Sequence, residues 1–217
     1  MTTTCYLIRH GETEWNRSGR WQGHADVALT QEGRDQARSL ARRLVDDGVH
    51  FDHIYASDLS RAYETADVIA HALGTTVERE PHLREIDIGS WSGLTRAEII
   101  ARNPDAFKIA FHPDDGETWE AFTDRSTAIL TQIAERHPDE TIAIVTHGGV
   151  VRAMLSYIYR LQGHPDQRIA TIGNTAVTEV RYDGTWTIER FNDIGHLDPS
   201  QQAPDMLAQP NEGSEAE

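Results

Sequence analysis

Residues Thr141-Ile142-Ala143-Ile144-Val145-Thr146 are β-branched or apolar throughout, with no polar alternation. A strand that is apolar on both faces has to be covered on both. It therefore belongs at the centre of a sheet with layers packed on each side. Thr4-Cys5-Tyr6-Leu7-Ile8 reads as a second short buried strand. Both runs stop at a histidine followed by glycine, in Arg9-His10-Gly11 and in His147-Gly148-Gly149. Open α/β sheets bind ligands at the C-terminal ends of their parallel strands. If the two strands are neighbours in a parallel sheet, His10 and His147 meet at the same edge.

The remaining pattern alternates strand and helix. Thr30 reads as the N-cap of a helix over 32–47, with Ala37, Leu40, Ala41, Leu44 and Val45 at helical spacing. Phe51 to Ser57 is a second strand in chain order, followed by a helix over 58–73 that Gly74 terminates. Thr75 to Glu78 forms a further strand, Leu83 to Gly93 is irregular, and a short helix runs from Arg96 to Arg102. Lys108 to Gly116 is a loop, Glu117 to Arg136 a long helix, and 150–162 another helix. Asp183-Gly184 separates the strands Ala176–Tyr182 and Trp186–Phe191 as a hairpin turn. This alternation predicts one α/β domain over 1–197 with a mostly parallel sheet. Residues 198–217 carry five acidic residues and no Lys or Arg, which predicts a disordered acidic tail.

The chain has 217 residues, enough for a substantial core. Its formal charge of −15 argues against nucleic acid or an anionic membrane as partner. An anionic substrate would need a local basic pocket within an acidic whole. Cys5 is the single cysteine, so no disulfide forms within the chain. Neither a signal peptide nor an apolar stretch long enough to span a bilayer is visible, and the cytoplasm is the expected compartment. A homodimer is admitted by the sequence but not required by it.

Several residues have the chemistry of a phosphoryl-transfer site. Arg9 offers planar, permanently charged donors suited to phosphate. His10 supplies a nitrogen that is neutral and nucleophilic near pH 7. Arg61 lies at the start of the helix after the second strand, where an arginine and helix N-terminal amides together favour an anion. A general acid must reach the leaving oxygen, and nothing local separates Glu85 from Asp87 for that task.

Arg9-His10-Gly11-Glu12-Thr13, with Trp15-Asn16 behind it, resembles the signature of the histidine phosphatase (phosphoglycerate mutase-like) superfamily. Ser57 to Ala66 resembles that family's SxLxRAxxTA element, and Leu83 to Gly93 its LxExxxGxxxG segment. The resemblance implies a three-layer α/β/α sandwich with a mostly parallel central sheet. It implies a nucleophilic His10 that becomes phosphorylated, with Arg9, Arg61, His147 and Asn16 gripping the phosphoryl oxygens. It also makes Glu85 the proton donor, leaving Asp87 as a loop carboxylate, and places Gln22, Gly23 and Gly148 against substrate. The implied activity is hydrolysis of a small phosphorylated metabolite without metal or other cofactor.

Three competing readings bear on the same residues. A metal hydrolase using His10, Glu12 and His147 lacks the usual ligand spacing, and Arg9 would repel the cation. An inactive phosphate-binding module would be expected to lack His10, an active-site arginine or Glu85. A cofactor-dependent phosphoglycerate mutase shares every catalytic residue. Mutases of this resemblance carry an arginine pair after the general acid, whereas Ala101 to Glu117 offers only Arg102 and Lys108. Their second histidine precedes Gly-Asn, not the Gly148-Gly149 found here. Arg96, however, aligns with a substrate-binding lysine of the mutases. The C-terminal segment Asn192 to Leu197 is expected to return His196 and Leu197 over the site. Trp21, Trp91, Trp119, Phe107, Phe111 and His112 are candidates for its lid.

Overall fold

A computed structural model describes residues 1–109 and 115–201. Six strands form one sheet in the order β3-β2-β4-β1-β5-β6. These are β1 (Thr3–Arg9), β2 (His53–Ala56), β3 (Val77–Arg79), β4 (Thr141–Thr146), β5 (Val177–Tyr182) and β6 (Trp186–Asp193). β1 pairs in parallel with β4, β4 with β2, and β2 with β3; the β5–β6 hairpin adds antiparallel to the other edge of β1. The strand read from sequence as central is central: β4 lies between β1 and β2, with Ile142, Ile144 and Val145 fully buried. Burial of each such side chain is worth about 1.5–3 kcal/mol.

Successive side chains of a strand point to opposite faces, and the two cores follow that alternation. Ile8, Ile54, Ala143 and Val145 pack on one face against α2 (Gln31–Asp46) and α3 (Ser60–Leu73). Cys5, Leu7, Ile142 and Ile144 pack on the other against α6 (Trp119–Arg136) and α7 (Gly148–Leu161). The result is the expected three-layer sandwich. The shorter helices α1 (Glu14–Arg17), α4 (Arg96–Arg102) and α5 (Ala106–Ile109) lie in the connections.

Local chemistry explains most boundaries. The Thr30 side chain accepts from the Gly33 amide and starts α2, as predicted, and Gly74 ends α3 at φ 71°. Asp183-Gly184 makes the hairpin, with Gly184 at φ 102°. Val45, placed on the apolar face of α2 by its spacing, is 47 % exposed instead. α7 begins at Gly148, two residues before the predicted start, so His147 is its N-cap. Part of the predicted 108–116 loop is taken up by α5, which ends at Ile109. Phe111, His112 and residues 202–217 of the expected acidic tail lie outside the described residues; Pro199–Gln201 form a short 3-10 turn. Among the described residues no helix is long and apolar enough to cross a membrane.

Candidate active site

The parallel register sets Arg9 opposite Thr146, so the next residues, His10 and His147, leave the sheet side by side. Their rings lie 5.2 Å apart at 63°, and both are buried. The turn after β1 is held by close backbone contact. A Cβ on Gly11 would stand 2.4 Å from the Gly33 carbonyl oxygen, and one on Gly33 would stand 2.2 Å from that of Glu12. Only glycine at both positions lets the turn seat on the start of α2. Thr65 completes the seat from α3, accepting from the Gly11 amide at 3.0 Å while donating to the Arg61 carbonyl at 2.7 Å.

Hydrogen bonding fixes the tautomer of His10 and positions the ring of His147. Nδ1 of His10 lies 2.7 Å from the Gly11 carbonyl, which can only accept, so Nδ1 carries the proton and Nε2 the lone pair. Nε2 of His147 lies 2.9 Å from Ser57 Oγ, which itself accepts from the Leu59 amide. The hydroxyl can give its proton to Nε2, the arrangement in which Nδ1–H is the outward donor of His147. Burial, reinforced by the positive charges of Arg61 and Arg9, holds both imidazoles well below their ordinary pKa. Both are neutral at pH 7.

Arg61 is fully buried, and it donates from Nη1 to the Ala25 carbonyl at 2.7 Å and from Nη2 to the Gly23 carbonyl at 2.8 Å. Arg9 donates from Nη1 to the Ile172 carbonyl at 2.5 Å. Burial lowers each guanidinium to about 10, still charged at neutral pH. Backbone carbonyls, not carboxylates, anchor both, so neither charge is neutralised by an ion pair among the described residues. Nε of Arg9, Nε of Arg61 and Nδ1 of His147 are buried without a hydrogen-bond partner. A buried donor left unmade costs about 1–3 kcal/mol. Three around one imidazole constitute a site for an anion with several acceptor oxygens.

Glu85 enters from the loop between β3 and α4. Its Oε2 accepts from the Gly149 amide at 3.0 Å and its Oε1 from the Ile86 amide at 3.0 Å. A Cβ on residue 149 would lie 2.2 Å from Glu85 Oε1 and would push the carboxylate from its place. The loop is tied to the strand end by Thr146 Oγ1 donating to the Leu83 carbonyl at 2.6 Å. Arg125 of α6 donates to the carbonyls of His82, Arg84 and Glu85 while paired with Glu117 at 2.8 Å. Asp87 instead accepts from the Gly89 amide at 3.0 Å and lies 3.8 Å from His24. That is a loop-forming carboxylate, in line with the expectation for it.

The other expected binding residues gather at the same edge. Asn16 Oδ1 accepts from the Thr13 amide and hydroxyl and from Asn174 Nδ2, which turns its amide oxygen toward the scaffold. The Gly23 carbonyl holds Arg61, Gln22 Oε1 is buried without a partner, and Gly148 packs against Arg9. Trp21, Trp91 and Phe107 form one aromatic cluster, with ring centroids 5.3–6.0 Å apart. Trp119 packs on Phe122. His196 reaches the site's wall: its Nε2 lies 2.9 Å from Thr175 Oγ1, and the Thr175 amide donates to the Arg9 carbonyl at 3.0 Å. Sequence reasoning assigned no role to Ser57, Thr65, Arg125 or Asn174. Ser57 and Thr65 stand in a recognised string, but Arg125 and Asn174 have no local signature that marks them.

The depressed histidines make stability depend on pH. Below pH 6.5 the unfolded chain takes up protons that folded His10 and His147 refuse, so stability is full above that pH and falls as pH drops toward the folded values. Each adds to the loss in this same sense as pH falls. His196, pushed down to about 4 chiefly by burial, acts in the same sense. Urea unfolding between pH 7.5 and 5 should show this decline, and H147Q should make it shallower. An unchanged midpoint across that window would contradict the neutral assignment.

The chain resembles known proteins over most of its length. The family model of the histidine phosphatase superfamily (branch 1) matches residues 5–194. Phosphoglycerate mutase-like protein 4 of Arabidopsis thaliana is 38% identical over 203 residues, 88% of this chain and 86% of the relative. Metal-independent phosphoserine phosphatase of Arabidopsis thaliana is 36% identical over 204 residues, 90% and 83% respectively. The solved structure of Bacillus stearothermophilus YhfR superposes with a TM-score of 0.79 at 34% identity, covering 90% of this chain and 100% of that one.

Proposed function

The chain belongs to the histidine phosphatase superfamily (branch 1), and from that premise we propose a metal-independent phosphomonoesterase that works through a phosphohistidine on His10. One observation carries the assignment of roles. Three buried donors without protein partners surround a neutral imidazole whose tautomer leaves Nε2 nucleophilic.

His10 Nε2 attacks phosphorus in line, and the P–N bond forms as the P–O bond to the leaving group breaks. Arg9, Arg61 and His147 take the charge on the equatorial oxygens, with Asn16 as a further donor. Glu85 gives its proton to the departing alkoxide. Water then attacks the phosphohistidine, Glu85 takes the water's proton, and phosphate leaves His10. Gln22, Gly23 and Gly148 line the substrate's approach. The substrate is a small phosphorylated metabolite. Phosphoserine is the first to test, because a relative at 36% identity is named for that activity.

Hydrolysis is favoured over phosphoryl return by the phosphatase names of the relatives. A mutase must grip a second anion; Arg84 is paired with Asp58, Arg125 with Glu117 and Arg20 with Glu98, while Arg152 stands near Arg9 as a further cation. Arg96 lies with its guanidinium 4.8 Å over the Phe107 ring. The test is metal-free turnover of p-nitrophenyl phosphate, phosphoserine and other small phosphomonoesters. Phosphate release and 3-phosphoglycerate isomerisation are followed together, with and without 2,3-bisphosphoglycerate priming. Release without isomerisation is expected; primed isomerisation far exceeding release would make the chain a mutase.

A further inference from the structure

His53, His137 and Glu140 come together at the opposite end of the sheet from the catalytic histidines. His53 opens β2, whereas Ser57, the partner of His147, follows its other end four residues on, roughly 13 Å along a strand. His137 caps the end of α6 and Glu140 immediately precedes β4. The turn between them is firmly held. Asp139 is at φ 64°, the Glu140 amide donates back to the His137 carbonyl, and that carbonyl also accepts from Thr3 Oγ1 at 2.8 Å.

We propose that these three side chains form a zinc-class divalent metal site, separate from the phosphatase centre. One oxygen of Glu140 lies 2.8 Å from His137 Nδ1 and 3.5 Å from His53 Nε2, and one ligand atom from each residue falls within 4.8 Å of the others. Two imidazoles and a carboxylate are a common zinc donor set. Histidines that bind metal usually have their second nitrogen engaged by a carboxylate or another polar group, which fixes the ring and its tautomer. Both rings are so arranged. His53 Nδ1 lies 3.1 Å from Glu78 Oε1, and His137 Nε2 lies 2.9 Å from Tyr55 Oη. Those bonds leave His53 Nε2 and His137 Nδ1 to face Glu140.

Glu140 and Glu78 together balance a dication's charge. Tetrahedral coordination needs ligand atoms about 3.3 Å apart, and the half-exposed His53 and Glu140 side chains can make that adjustment while buried His137 stays fixed. A metal here joins residue 53 to the 137–140 turn and acts as a clamp on the fold, with no part in phosphoryl transfer.

Titration of tag-free protein with Zn²⁺ against a chromophoric chelator tests the site. One zinc per chain is expected, with affinity lowered at least about tenfold in H53A, E140Q and E78Q. A hundredfold excess over the dissociation constant should raise Tm by about 5–10 °C in the wild type and not in H53A. Phosphatase turnover should be unchanged in all three variants, which reports that they are folded. Failure to bind zinc, or binding by H53A and E140Q as tight as by the wild type, would overturn the site.

Discussion

H10A is expected to lose phosphatase activity by about 10⁴-fold or more, because the covalent route disappears with the nucleophile. Arg9, Arg61 and His147 would still grip the phosphoryl group, but water would have to attack it directly. H10N is the sharper variant, since its amide NH₂ can replace the Nδ1–H bond to the Gly11 carbonyl while offering no Nε2. It should be as inactive as H10A yet keep the fold. Wild-type enzyme quenched in alkali from ³²P-labelled substrate should retain label that acid then removes, the behaviour of a phosphoramidate, and H10N should retain none. Label on H10N, or activity within tenfold of wild type, would assign the nucleophile elsewhere. Both variants also delete one of the buried imidazoles, so they should lose less stability than wild type between pH 6.5 and 5.

E85Q should slow hydrolysis of alkyl phosphates such as phosphoserine by about 10²–10⁴-fold, the usual worth of a general acid. The loss should be much smaller in the phosphorylation step with p-nitrophenyl phosphate, whose leaving group departs without a proton. Glutamine keeps one acceptor oxygen for the Gly149 or Ile86 amide and sets an NH₂ against the other, so the contrast between the two substrates, not the loss itself, carries the assignment. A proton donor is therefore distinguished from a carboxylate that merely shapes the loop. Single-turnover rates on the two substrates make the measurement. An equal loss on both would argue for a positioning role, and a corresponding selective loss in D87N would transfer the acid to Asp87.

The parts of the site that were legible in sequence are those set by local chemistry. Two β-branched runs ending in His-Gly identify a sheet edge because side-chain pattern and strand burial are coupled. The motif strings around Arg9, Arg61 and Glu85 mark strand ends and loop positions where charge is unusual. The choice between Glu85 and Asp87 is different. Both sit in one irregular loop, and they are separated by the amide of Gly149, more than sixty residues away in sequence. Arg125 is similar: from sequence it is one more polar residue in an 18-residue helix. In space it gathers three carbonyls of the Glu85 loop.

Sequence alone determined the class of fold, the central strand, the family resemblance and the residue types that meet at the sheet edge. Those follow from periodicity, turn residues and short contiguous motifs, all of which act over a few positions. Tertiary structure alone decided which nitrogen of His10 carries its proton and why both imidazoles stay neutral. It also brought His53 to His137 and Glu140 at the far end of the sheet. The physical reason is range: desolvation, hydrogen-bond partnership and charge compensation depend on what chain folding places within a few ångströms. The register of β1 and β2 on β4 sets those neighbours, and no local pattern encodes them.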